Sequence, residues 1–223
     1  MKAQFIHGTG KKIVRLLRTY VTPTLATIGT GLLLGLVGPA AGKWDNAFCV
    51  ALSLIFSGGW PWACYAFLVG YCGRSKTMSA LLSFAGLTVG VIAYYVFKHL
   101  SPDVPPGTKY TTGEGFSSGI ILWGVFALVL GVPMGLIGHF ARRRDLIGLP
   151  FQLAVPLIAY FETTMRLDVE ADGQSSVTVM TWNAVQYTAG ALVLILACRA
   201  LWTSLRHRHD RPSEKGHSGG STA

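Results

Sequence analysis

The sequence predicts an all-α integral membrane protein, a bundle of about six transmembrane helices. Three observations predict it: charged residues make up only 13% of the 223, hydrophobic types make up 51%, and the two classes are segregated along the chain. The charged share is about half that of an ordinary soluble domain. Stretches such as Thr19–Gly42 and Gly113–Phe140 hold almost no ionisable residue, while Lys and Arg collect in short clusters between such runs. An apolar run of about 20 residues matches the roughly 30 Å hydrocarbon core of a bilayer.

Three parts follow from this patterning. Residues 1–19 read as a cytoplasmic lead-in, in which Lys11-Lys12-Ile13-Val14-Arg15-Leu16-Leu17-Arg18 mixes apolar and basic positions as a surface-lying amphipathic helix does. Residues 20–203 form the membrane domain, with spans expected near Tyr20–Gly42, Asn46–Tyr71, Met78–Phe97, Phe116–Phe140, Leu146–Met165 and Val177–Leu201. Residues 204–223 are basic and polar, with almost nothing to bury, and are expected to be a disordered cytoplasmic tail.

Each span has its own justification. The first is glycine-patterned and too long for a signal peptide, although Gly38-Pro39-Ala40-Ala41 has the small residues of a cleavage site. The second is interrupted by Ser57-Gly58-Gly59-Trp60-Pro61-Trp62. It reads either as one span or as a short outer or re-entrant helix, Ala47–Phe56, followed by a shorter crossing from about Trp60. Irregular backbone at membrane depth has to be covered by protein or by a watery cavity.

The spans are bounded by basic clusters, which also give the orientation. With the N-terminus inside, all of the 19 Lys and Arg except Lys43, Lys98, Lys109 and Arg166 fall on the cytoplasmic side. This is the positive-inside pattern, and it places both termini in the cytoplasm of a multi-pass cell-membrane protein. The net charge of +9 is thereby explained by topology and anionic lipid, so no nucleic-acid partner is expected. Cys49, Cys64, Cys72 and Cys198 show neither disulfide nor zinc spacing and read as packing residues.

An internal similarity suggests a 3+3 inverted repeat. Gly31, Gly35, Leu36, Val37 and Gly38 parallel Gly131, Gly135, Leu136, Ile137 and Gly138, and Gly59-Trp60-Pro61-Trp62 parallels Gly148-Leu149-Pro150-Phe151. Secondary transporters are often built this way, with the site at the repeat interface. The plainer reading is that glycines four apart let membrane helices approach closely.

Glu162 is the first candidate site residue, because a carboxylate inside a span has to be paired, hydrated or protonated. It is expected near the outer end of span five, with Arg166 one turn later on the same face. A local ion pair is the slightly favoured plain reading; a ligand or proton site is the functional one. Asp45, Asn46, Trp60 and Trp62 would complete a ligand pocket at the outer ends, with Lys98 and His99 as further neighbours. Tryptophan beside carboxylates suits a cationic or aromatic ligand, although anchoring at the membrane interface is the commoner role.

At the cytoplasmic ends, Arg142, Arg143 and Arg144 would contact lipid phosphate or a partner. His139 reads as a helix-end cap, and Asn183, Gln186 and Gln152 as interhelical hydrogen-bonding groups.

No catalytic constellation assembles. Gly115-Phe116-Ser117-Ser118-Gly119 has the outline of a nucleophile elbow but lacks the preceding strand, and His207 and His209 lack further metal ligands. There is no phosphate loop, so an ATP-driven role would need a separate ATPase subunit. No cofactor, catalytic residue or metal site is expected.

The Trp60–Gly70 stretch, the Gly131–Gly138 run and the Glu162 end of span five together resemble an uncharacterised family of small bacterial multipass membrane proteins of unknown function, over roughly Leu25 to Arg166. That resemblance implies no activity. In size and span number the chain is also similar to solute-binding subunits of energy-coupling transporters, without a diagnostic motif. It resembles six-span permeases of exporter or immunity systems too, except that the connection Cys72–Thr77 is shorter than theirs. The expected function is small-molecule binding or transport through an outward-facing pocket. The alternative is a non-catalytic scaffold or immunity protein acting through partner contacts.

Overall fold

The structure, a computed structural model, describes residues 21–101, 114–143 and 147–209. The lead-in 1–19, Arg144, Lys109 and the tail beyond 209 lie outside these residues. Among the described residues the fold is wholly helical, with seven helices: α1 Thr22–Ala41, α2 Ala47–Ser57, α3 Gly59–Cys72, α4 Lys76–Leu100, α5 Glu114–Phe140, α6 Leu149–Glu170 and α7 Ser176–His209.

Four of these are long and apolar enough to cross a membrane: α1, α4, α5 over Gly119–Phe140, and α7 over Ser176–Thr203. A fifth crossing is formed if α2 and α3, bent by 64° at their junction, count as one broken span. The interrupted second span is therefore two helices. The expected fifth span is α6, 22 residues long but carrying Glu162, Arg166, Asp168 and Glu170 in its second half. It begins three residues later than expected and runs on to Glu170. The last helix also outruns its expected end, continuing through 204–209, where Arg206 stacks over the Trp202 ring at 5.2 Å.

The helices run in alternating directions. Ser79 and Ser83 of α4 donate through their hydroxyls to the carbonyls of Gly70 and Ala66, so α3 runs antiparallel to α4. α5 is also antiparallel to α4, since Gly119 faces Tyr95 and Gly135 faces Ser79 and Ser83. α6 and α7 are antiparallel, joined by Gln152 to Arg199 at one end and Thr164 to Gln186 further along.

Close packing is made where small residues remove side chains between backbones. Gly31 and Gly35 of α1 lie against the backbone of Gly86 and Gly90 of α4, while Gly70 of α3 lies against Gly135 of α5. A Cβ at Gly35 or Gly70 would collide with a backbone carbonyl, which cannot swing away as a side chain can. Apolar contacts in this region centre on Leu34, Ala63, Ala66, Leu87, Val91, Ala127 and Met134.

The two glycine runs present the same face to the protein. Thr27, Gly31, Leu34, Gly35, Gly38 and Ala41 are buried on α1, and Ala127, Gly131, Met134, Gly135 and Gly138 at equivalent positions on α5, with Ala141 just past its end. Their neighbours differ, however. α1 packs on α2 and α4, whereas α5 packs on α3 and α4 and makes no contact with α7 among the described residues. Equal patterns have been put to unequal use.

Candidate functional site

The site is built around the break between α2 and α3. Asn46 starts α2 by accepting from the Cys49 N–H at 2.8 Å, and Gly58 ends it in extended conformation, with φ −72° and ψ 159°. Trp62 donates its indole N–H back across the break to the Phe56 carbonyl at 3.1 Å. The start of α3 then presents N–H groups with no capping side chain of its own.

Glu162 of α6 supplies the missing cap. Its Oε1 accepts from the Gly59 N–H at 2.8 Å and its Oε2 from the Trp60 N–H at 2.7 Å. The negative carboxylate thus meets the positive end of the α3 dipole, in the most favourable orientation for both. Glycine suits this approach: a Cβ on Gly58 or Gly59 would stand 3.2 Å from a carboxylate oxygen, close enough that the carboxylate would have to give by a few tenths of an ångström. Arg166 donates its Nε to Oε1 at 3.3 Å and its Nη1 to Glu170 at 3.5 Å, and lies 5.9 Å from the Trp182 ring centroid.

Glu162 was expected at the outer end of its span, but α6 continues two turns beyond it. At 1.5 Å per residue, Glu162 lies about 20 Å along the helix from Leu149. The expected ion pair with Arg166 is present; the capping of another helix was not foreseen.

A cavity of about 370 Å³ opens beside the break. Glu162, Arg166 and the Ser57–Gly59 backbone form its polar end, and Phe56, Trp62, Tyr94, Tyr95, Trp123 and Phe126 supply aromatic walls. Lys98 reaches over the Tyr94 ring at 5.5 Å, which puts a cation near this wall.

Of the residues singled out from the sequence, Glu162, Arg166 and Trp62 meet at the cavity. Trp60 does not line this cavity: it donates its backbone N–H to Glu162, shares a small neighbouring space with Glu162 and Arg166, and lines a separate apolar groove between α2, α6 and α7. Asp45 and Asn46 line neither space: Asp45 is exposed in the turn after α1, and Asn46 is the α2 cap. Tyr94, Tyr95, Trp123 and Phe126 were not singled out. Their signal was present as two aromatic pairs, Tyr94-Tyr95 and Trp123 with Phe126 three residues on, but only packing shows that the pairs face one space.

The opposite end of the bundle is held by main-chain contacts. Arg142 donates to the Gly73 carbonyl at 2.7 Å, Gln152 to the carbonyls of Ala141 and Arg143, and His139 Nδ1 lies 3.3 Å from Ser79 Oγ. Gln186 bridges helices as expected, whereas Asn183 bonds the Val179 carbonyl of its own helix. The Gly115–Gly119 segment is helical, without the strand-turn geometry of a nucleophile elbow.

No protein-family model, curated protein or solved structure matches this chain. The resemblance drawn over Leu25 to Arg166 therefore carries no further argument.

Proposed function

We propose that the chain is a six-span cell-membrane protein with both termini cytoplasmic, and that it binds a small molecule in the cavity beside the α2–α3 break as the recognition step of transport. The carrying observation is the joining of aromatic walls and a Glu162–Arg166 polar end at one helix interruption. Broken helices at membrane depth are a recurrent way of building solute sites, because they bring polar backbone into an apolar interior. The alternating helix directions and the antiparallel α6–α7 pair support counting α6 as the fifth span, which brings the total to six. The gathering of Arg74, Lys76, Arg142, Arg143 and Arg199 at one end supports the orientation.

A volume of about 370 Å³ falls at the small end of ligand pockets, about 300–1,000 Å³. Aromatic faces attract organic cations, so an aromatic cation is the probe of choice. Any energy source belongs to a separate subunit, such as an ATPase. A scaffold role through the arginine cluster has less support, since Arg142 is already engaged with Gly73.

The test is a fluorescence titration of ethidium against the protein in nanodiscs. Saturable binding is expected, weakened at least tenfold by Ala127→Trp, which fills the cavity from its buried wall. Equal binding by both proteins would remove the cavity from the account.

A further inference from the structure

We infer that the cavity takes a single-chain amphiphile entering sideways from the bilayer between α5 and α6, with its polar head at Glu162 and Arg166. This rests on the binding reading above and adds the ligand class and the route.

The route follows from the cavity walls. Trp123, Phe126 and Leu130 line the cavity from α5, yet they are 48%, 44% and 49% exposed. Side chains that face both a cavity and the outside form the rim of an opening, and in a membrane this outside is lipid. Across the opening stands α6 with Glu162 and Arg166. Ring and hydrogen-bond contacts tie α5 and α6 only at their connecting turn, through Phe140 on Phe151 at 5.5 Å and Gln152 on the Ala141 and Arg143 carbonyls. Further along, Trp123, Phe126, Ala127 and Leu130 of α5 and Glu162 and Arg166 of α6 line the cavity from its two sides.

The ligand class follows from the contents. Apolar and aromatic surface makes up most of the lining, and the charged groups are gathered on the α6 side at Glu162 and Arg166, which is the segregation an amphiphile needs. Oε1 of Glu162 already accepts from Gly59 and Arg166, but Oε2 accepts only from Trp60, leaving it one further acceptor position. Arg166 uses two of its five N–H donors in the described contacts. A head group offering both a donor and an acceptor fits this end. At about 30 Å³ per water-sized group, the cavity holds roughly a dozen such groups. That suffices for a head and the first part of one chain, and not for both chains of a diacyl lipid.

Lysophosphatidylethanolamine, which has one chain and a head with an ammonium donor and phosphate acceptors, is the probe. It is added to protein in diacyl phosphatidylcholine nanodiscs and counted by native mass spectrometry, alongside the ethidium titration. One retained molecule per chain is expected, lost by at least tenfold in Ala127→Trp and in Leu130→Trp. The second variant alters a half-exposed rim residue and keeps the test valid if the first fails to fold. Saturable ethidium binding without retained lysolipid would overturn the amphiphile and leave the binding site standing. Retention unaffected by either folded variant would place the lipid elsewhere and overturn the inference. Loss of both ligands from the wild-type protein would remove the site itself.

Discussion

The crossing of α3 on α5 and the junction of α2 with α3 both rely on glycine, and they rely on it for opposite reasons. At the crossing, Gly70 and Gly135 remove side chains so that two backbones touch, with each helix keeping its own hydrogen bonds. At the junction, Gly58 and Gly59 make room for a carboxylate from a third helix, which supplies hydrogen bonds the backbone has lost. The first arrangement tolerates no added volume and needs no partner chemistry. The second tolerates little volume and depends on one charged group. A close-packed seam and a polar joint therefore stand near opposite ends of α3, with the cavity at the joint.

Substitutions can break this contrast at either place. The largest effect is expected from Gly70→Val, which drives a branched side chain into the Gly135 backbone and should destabilise by about 3 kcal/mol. Unfolding in dodecyl sulfate mixed micelles, followed by circular dichroism, measures it. A loss below a few tenths of a kcal/mol would mean that the helices are not in backbone contact.

At the joint, Glu162→Ala leaves the Gly59 and Trp60 N–H groups without their acceptor and is expected to destabilise by about 2 kcal/mol in the same assay. Glu162→Gln keeps one carbonyl acceptor and should lose less. Equal stability of Ala, Gln and wild type would show that the cap contributes nothing.

The smallest effect sharpens the comparison from the other side. Gly29 has open space where a Cβ would stand, so Gly29→Ala should be neutral or stabilising by about 0.5 kcal/mol. A marked loss there would indicate that this face of α1 is covered by another chain.

Most of the helix pattern was legible from the residues. Segregated charge located α1, α4, α5 and α7, and the Ser57–Trp62 interruption pointed to a broken second span, because glycine and proline disfavour continuous helix. The ends were less legible: acids and bases after Glu162 suggested that α6 had left the apolar region, although its backbone continues to Glu170. The duplicated glycine pattern correctly marked two buried faces but did not reveal their neighbours. A glycine run shows that something approaches closely, and many helix faces can be that something.

The candidate site divides in the same way. Glu162, Arg166, Trp62 and the break were visible individually, since a carboxylate in an apolar run and a Gly-Gly-Trp-Pro interruption are locally unusual. Their meeting was not, because Gly59 and Glu162 are 103 positions apart and nothing local pairs them. By itself the sequence determined the helical class and the apolar stretches, which follow from hydropathy and intrahelical hydrogen bonding within each segment. Only the tertiary structure decided that Glu162 caps α3, that Trp60 and Trp62 face different spaces, and that the α4 and α5 aromatics close one cavity. Those outcomes depend on which helices become neighbours, a property of the whole packing rather than of any one segment.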